Sequence, residues 1–136
     1  MEAEKIKIIT QDFGELEIEK EHIFTFENGI LGFDELHDFV LISDESTEPL
    51  KWLISVENPE IGFPLISPWH IDLSYEPGRD YDPDSEVAMT VVTLGHEEGD
   101  LSVNLKAPIL FNTENNTGKQ LILPTDKYSP SHVIRK

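Results

Sequence analysis

Apolar and polar residues alternate along much of this chain with a period of two. In KIKIIT, Ile6 and Ile8 fall on one face of a strand and the lysines on the other. The same alternation runs through ELEIEKEHIFTF (15–26), where leucine, isoleucine and phenylalanine point inward between glutamates. A two-residue repeat is typical of strands with one buried face. Further strand-like segments are FVLIS (39–43), WLISVE (52–57), FPLIS (63–67), VAMTVVTL (87–94), LSVNL (101–105), ILFNT (109–113) and KQLIL (119–123).

Turn-forming residues separate these segments. They are Asp12-Phe13-Gly14, Asn58-Pro59, Pro77-Gly78, the stretch 96–100 and the stretch 115–118. Strands at this spacing predict an all-β, mainly antiparallel fold resembling a small β-barrel. We expect one domain over residues 1–136, with a basic, partly mobile tail over about 124–136. Short helical turns are expected at 34–37 and near residue 84.

Charge is spread unevenly along the chain. The formal net charge is -17; residues 1–100 carry 25 acidic and 5 basic residues, a net -20, and residues 101–136 carry 2 and 5, a net +3. Acidity repels nucleic acid phosphates and attracts basic proteins, although it can also serve solubility alone. We therefore expect no direct nucleic acid binding and, because like charges repel, a monomer when the protein is free.

Targeting and membrane segments are missing from the sequence pattern. No apolar run reaches the length of a membrane span, and the acidic start MEAEKIKIIT does not resemble a secretory signal. The chain has no cysteine, which excludes thiol chemistry. We expect a cytoplasmic protein without membrane contact.

One acidic segment partly matches a calcium-binding motif. DYDPDSE (80–86) opens like a calcium loop, but Ser85 stands where glycine must turn and Val91 where a bidentate glutamate belongs. The five histidines have no metal-ligand spacing, and no nucleophile-elbow motif is present. We expect no catalytic residue, cofactor or metal. A small hydrolase with an Asp/Glu pair stays open as an alternative, because it needs a deep pocket that sequence cannot reveal.

Two glycines three apart in FENGILGF (26–33) suggest either a phosphate-binding loop or a tight packed turn. A Walker loop requires Gly-Lys-Ser/Thr, whereas Gly32 precedes phenylalanine and aspartate. The acidic neighbours also argue against an RNA clamp. We interpret the segment as a turn in which Gly29 and Gly32 allow unusual backbone angles. Its apolar side chains, including Leu31, are expected to pack into the core.

Four segments in order resemble the FliW family of flagellar assembly factors, over roughly residues 6 to 130. They are FENGILGF with Asp-Glu after it, LKWLISVENPEIGFPLISP (50–68), LSVNLKAPILFN (101–112) and GKQLIL (118–123) with Tyr128 beyond. The chain departs from the family pattern at Leu31, where proline is common, and at Ile54, where glutamine is common. The family-signature residues, expected to be structural, are Phe26, Gly29, Gly32, Phe33, Asn104, Pro108 and Gln120.

The resemblance implies a non-enzymatic β-barrel-like protein with two alternative partners. One is flagellin. The other is CsrA, a dimeric RNA-binding regulator that represses flagellin translation and that the family inhibits allosterically. A basic regulator fits an acidic docking face. An acidic mimic of nucleic acid, blocking another basic protein directly, fits the composition as an alternative.

Partner contacts are expected at a few apolar or aromatic anchors. Candidates are Trp52, Glu57, Pro59, Phe63 and Trp69. For both tryptophans, core packing is the competing interpretation, and it is the one that the sequence favours. Pairing of a partner along a strand edge is a further docking mode, at an edge that the sequence does not identify.

Overall fold

A computed structural model describes residues 5–10, 13–94 and 101–134, and it confirms the all-β prediction. The described strands are β1 (Lys5–Thr10), β2 (Gly14–Glu19), β3 (Ile23–Phe26), β4 (Asp38–Ser43), β5 (Lys51–Ser55), β6 (Gly62–Ile66), β7 (Glu86–Leu94), β8 (Leu101–Val103), β9 (Ile109–Asn112), β10 (Thr117–Gln120) and β11 (His132–Ile134).

Seven of these strands close a barrel in the order β3-β4-β5-β6-β7-β9-β10. Neighbours are antiparallel except at the closure, where β10 runs parallel to β3 through the pairs Thr117–Thr25 and Gly118–Phe26. The long strand β7 pairs with β9 in its first half and with β8 in its last part, and β8 pairs in turn with β11. Closure gives each of the seven barrel strands a neighbour on both sides, although β10 and β3 pair over only two residues.

The barrel interior is filled by apolar side chains. They are Phe26, Ile30, Phe39, Leu53, Leu65, Met89, Ile109 and Phe111, all buried. Outside the barrel, strands β1 and β2 form a separate hairpin whose Ile8 and Ile18 cover Val40 and Ile54. Strands β4 and β5 are therefore buried on both faces, which is why FVLI and WLI read as continuous apolar runs.

A third apolar cluster lies where β7 extends past the barrel. It contains Ile66, Tyr75, Val92, Val103, Leu105, Leu123 and Tyr128. Burial raises the pKa of Tyr75, whose hydroxyl donates to the carbonyl oxygen of Leu105 at 2.6 Å. The segment after residue 124 thus supplies Tyr128 and β11 to the fold, while its partial mobility stays a prediction.

The turn predicted near residue 84 is confirmed, whereas the helical turn predicted at 34–37 is wrong. The described 3₁₀ helices are Lys20–His22, Glu45–Thr47 and Pro68–His70. At 34–37 the chain makes a single turn, in which the Leu36 N–H donates to the carbonyl oxygen of Phe33. Near residue 84 the N–H groups of Ser85 and Glu86 both donate to the carbonyl oxygen of Asp82. One turn at each place is enough to reverse the chain between strands. Lys20–His22 also divides the segment that the sequence pattern presents as continuous over 15–26.

The predicted turn at 96–100, with His96, lies outside the described residues, as does Asp12 of the first hairpin turn. Within the described ranges, no helix has the length and apolar character needed to cross a bilayer.

Candidate functional site

The turn at 27–33 is built around Gly29. Its φ is +68°, and a Cβ there would lie 2.5 Å from the Cα of Asp34 and 2.6 Å from the carbonyl oxygen of Phe33. No side chain fits that space, so position 29 requires glycine on two counts. Gly32 has a φ of +84° but open space around it, so backbone conformation alone favours glycine there.

The expectation that Leu31 packs into the core is wrong. Ile30 is buried, whereas Leu31 is 54% exposed. The Phe33 N–H donates to the carbonyl oxygen of Ile30 at 2.6 Å, which closes a tight turn with residue 31 at its tip. A side chain at the tip of such a turn points away from the barrel, so one apolar group is left on the surface.

Gln120 connects this turn to the loop at 104–108. Its Oε1 accepts the Leu31 N–H at 2.8 Å, and its Nε2 donates to the carbonyl oxygen of Ala107 at 3.0 Å. In the same loop, Asn104 Oδ1 accepts the Ala107 N–H at 3.0 Å, and Pro108 is fully buried. The 27–33 turn therefore meets two segments from much later in the chain in one hydrogen-bonded cluster.

Gly118 belongs to this cluster although it is not among the predicted signature residues. A Cβ at position 118 would lie 2.2 Å from Cζ of Phe26, so the ring rests directly on the glycine backbone. The same ring meets Phe39 edge-on at 5.3 Å and Phe111 at 5.8 Å. Gly118 falls in the predicted turn 115–118, whereas in the structure it lies inside β10, where a glycine often marks such a close approach.

The predicted partner-contact residues do not form one patch. Trp52 and Pro59 line a small notch beside the β1–β2 hairpin. Trp52 is half-buried there, with its indole N–H donating to Thr47 Oγ1 at 2.9 Å and its ring edge-on to Phe13. These internal contacts already position Trp52 before any partner arrives.

Phe63 and Trp69 lie in two other places. Phe63 packs edge-on against Phe33 at 5.1 Å, beside the barrel interior. Trp69 packs against the third apolar cluster and donates its indole N–H to the carbonyl oxygen of Tyr75 at 3.0 Å. Both rings are half-buried, so each offers a partner only part of its surface.

Glu57 is exposed and anchors the start of β4. Its carboxylate accepts the backbone N–H groups of Asp38, at 2.8 Å, and of His37. These two hydrogen bonds, led by the one from Asp38, lower the pKa of Glu57 below its usual value. The carboxylate therefore has a structural role in addition to its negative charge.

Carboxylates lie close together at two places in the described part of the chain. Glu19, Glu21 and His22 come close enough to share an ion, but the group is largely exposed. A hydrogen bond with Glu19, together with its charge, raises the pKa of Glu21. In the acidic loop at 80–86, Asp82 instead accepts hydrogen bonds from the N–H of Asp84 and the hydroxyl of Ser85, forming its own turn.

Two surface grooves flank the segment after β10. The first, about 650 Å³, lies between the 27–31 turn and β10; the second, about 570 Å³, lies between residues 76–80 and 121–128. Ile122 lines both grooves. Glu21 and Glu57, whose pKa values are shifted, lie outside them. The perturbed carboxyl pair in a deep pocket that a hydrolase would need is therefore not found at either groove.

Comparison with known proteins places this geometry in context. The family model of the FliW protein matches residues 7–134. The flagellar assembly factor FliW of Thermosipho africanus is 39% identical over 132 residues, covering 89% of this chain and 90% of the relative. The protein of the same name from Caldanaerobacter subterraneus subsp. tengcongensis is 37% identical over 139 residues, covering 95% and 93%.

A solved structure has the same architecture. A crystal structure of the flagellar assembly factor FliW superposes with a TM-score of 0.87 at 33% identity, covering 96% of this chain and 98% of the other. The likeness therefore includes the whole barrel together with its β1–β2 hairpin and the β8–β11 extension.

Proposed function

The chain belongs to the FliW family, and on that premise we propose that it is a non-enzymatic, cytoplasmic adaptor of flagellar assembly that binds flagellin or, alternatively, CsrA. While flagellin occupies the protein, CsrA is free to repress flagellin translation. Once flagellin is exported, the released protein binds CsrA, inhibits it allosterically, and translation resumes.

The observation that carries this proposal is the cluster around Gln120. Family-signature segments separated by up to 89 residues meet there through direct hydrogen bonds, and the chain shares the architecture of a solved FliW structure at a TM-score of 0.87. The names of its relatives specify flagellar assembly and no chemical reaction. These facts support an assembly role, and CsrA and flagellin as its partners are what we propose.

The acidic surface supports CsrA as a partner. A protein that binds RNA must present basic groups to phosphates, and those groups are attracted to a chain of formal charge -17. Trp52 and Pro59, at the notch beside the acidic β2 strand, are the predicted contacts best placed for such a partner. Glu57, Phe63 and Trp69 remain proposed contacts at other places on the surface.

Titration calorimetry against CsrA and against flagellin tests the proposal. We expect micromolar or tighter binding of each, with either partner displacing the other. Raising the salt concentration should slow association with CsrA, because electrostatic steering acts mainly on the association rate. If neither partner binds the free monomer at low salt, the proposal is refuted.

The acidity also supports a second candidate, a nucleic acid mimic that occupies the nucleic-acid site of another basic protein. Competition separates the two ideas. RNA displaces a mimic from its target, whereas an allosteric inhibitor and RNA can occupy CsrA together for a short time. If RNA and this protein always exclude each other from the basic partner, the result favours the mimic.

A further inference from the structure

The strand edge that continues β10 is open on one side. β10 pairs with β3 only at Thr117 and Gly118, because the chain leaves β3 at Phe26 to form the 27–33 turn. On the opposite side the segment keeps its register past β9. There the N–H groups of Leu121 and Leu123 donate to the carbonyl oxygens of Pro108 and Lys106.

Hydrogen-bonding direction alternates along a strand, so the main-chain N–H and C=O groups of residues that alternate with Leu121 and Leu123 point to the opposite edge. The main-chain groups of Gln120 and Ile122 are therefore directed towards the first groove. In the described part of the chain, the N–H and C=O of Ile122 have no hydrogen-bond partner. Such an edge is a template for pairing with another extended segment.

Exposed apolar side chains flank this open edge. Leu31 is 54% exposed on one side of the first groove, and Ile122 is 63% exposed on the other. An open edge combined with apolar side chains is an aggregation hazard unless a partner covers it. Successive side chains of a strand point to opposite faces, so every second side chain of an added segment would point towards Leu31 and Ile122.

The grooves carry little net charge although the protein is strongly acidic. Glu27 and Lys119 line the first groove, one charge of each sign, and Lys119 Nζ lies 3.7 Å from Glu86 Oε2, a carboxylate outside the groove. The second groove is lined by two acidic and two basic residues, Glu76, Asp80, Arg79 and Lys127. A basic segment gains little from a groove with so few carboxylates, whereas an uncharged one can be desolvated there at little electrostatic cost.

We propose that an extended, uncharged segment of a partner protein pairs along residues 120–122 as an added strand, with an apolar side chain between Leu31 and Ile122. This assignment rests on the proposed function for its partner. The proposed function has two partners, CsrA and flagellin. CsrA is basic and is attracted to the acidic surface of the protein, so we assign the groove to flagellin.

Two variants at Ile122 test the proposal with flagellin from the same organism. Ile122→Asp places a charge in the neutral groove, and Ile122→Pro removes an N–H that has no partner within the protein. The matched control is Leu73→Asp, because Leu73 is 90% exposed and lines neither groove. Thermal melts identify any variant that fails to fold.

We expect both Ile122 variants to bind flagellin at least about tenfold more weakly, while Leu73→Asp binds as the wild type does. CsrA should bind all three variants within about twofold of the wild type. Wild-type flagellin affinity in both Ile122 variants would overturn the proposal. So would a wild-type dimer that Ile122→Asp dissociates, because the occupant would then be a second copy of this chain.

A peptide probe separates failure of this inference from failure of the proposed function. If the wild type does not bind flagellin, the proposed function is wrong and the groove is tested alone. The probe is a capped seven-residue peptide alternating valine and threonine, compared with one in which lysine replaces threonine. Amide shifts and slowed exchange at Gln120 and Ile122 with the uncharged peptide alone support the groove; their absence at millimolar peptide overturns it.

Discussion

Replacing Gly29 with alanine should destabilise this protein far more than the same replacement at Gly32. Both glycines have left-handed backbone angles, +68° and +84°, so both variants incur a similar conformational cost. That cost is about 1 to 2 kcal/mol, and the loss of chain entropy in the unfolded state offsets about 0.4 to 1 kcal/mol of it. Gly32→Ala should therefore lower the free energy of unfolding by about 1 kcal/mol.

Gly29→Ala has an additional steric cost. Its Cβ would lie 2.5 Å from the Cα of Asp34 and 2.6 Å from the carbonyl oxygen of Phe33, both backbone atoms that cannot rotate away. Moving that backbone costs about 2 kcal/mol more, by analogy with overpacked cores. The total loss for Gly29→Ala is therefore about 3 kcal/mol, which lowers Tm by about 10 °C in a domain of this size.

Urea titrations of the two variants, followed by circular dichroism, measure the difference between them. Because both variants exchange glycine for alanine in one turn, the unfolded-state contribution cancels in the comparison. Similar values for the two variants would show that the turn relaxes around a new Cβ, and the packing argument would be refuted. Gly32→Val should cost more than Gly32→Ala, since β-branched residues rarely adopt positive φ, and it should impair folding before it impairs partner binding.

Three further predictions concern the same cluster and the start of β4. Gln120→Leu removes the hydrogen bonds to Leu31 and Ala107 and should lower the free energy of unfolding by about 1 to 3 kcal/mol, measured by urea titration; an unchanged value would show that these bonds add no stability. Gly118→Ala should lower the free energy of unfolding by about 3 kcal/mol, because its Cβ meets the Phe26 ring. Adding Phe26→Leu to this variant should recover part of that loss. If the two substitutions instead lower the free energy of unfolding additively, the contact is contradicted. The pKa of Glu57 is lowered in the folded state, so the stability it contributes is present above the ordinary value of 4.5 and is lost as pH falls through the folded-state pKa. Glu57→Gln should therefore reduce the loss of stability below pH 4.5, and acid titration curves that superpose would contradict this.

The sequence determined most of the strands and which face of each of them is apolar, although it did not predict β11 (His132–Ile134). The alternation in Lys5–Thr10 and the continuous apolar runs near residues 40 and 53 correspond to β1, β4 and β5. Strand periodicity is a local property, because each side chain's direction depends only on its neighbours along the chain. The FliW resemblance rests likewise on short motifs in order, and the comparisons confirm the family.

Only the tertiary structure decided which of these segments meet. Leu31 and Gln120 are 89 residues apart, and their hydrogen bond depends on the parallel closure of β10 against β3. That closure also sets Gly118 against the Phe26 ring and leaves the edge at Ile122 open. No local pattern distinguishes an exposed Leu31 from a buried Ile30, because their burial follows from where a two-glycine turn directs the chain. Pairing between strands that are distant in sequence depends on the whole fold, and this pairing creates the candidate docking edge at Ile122.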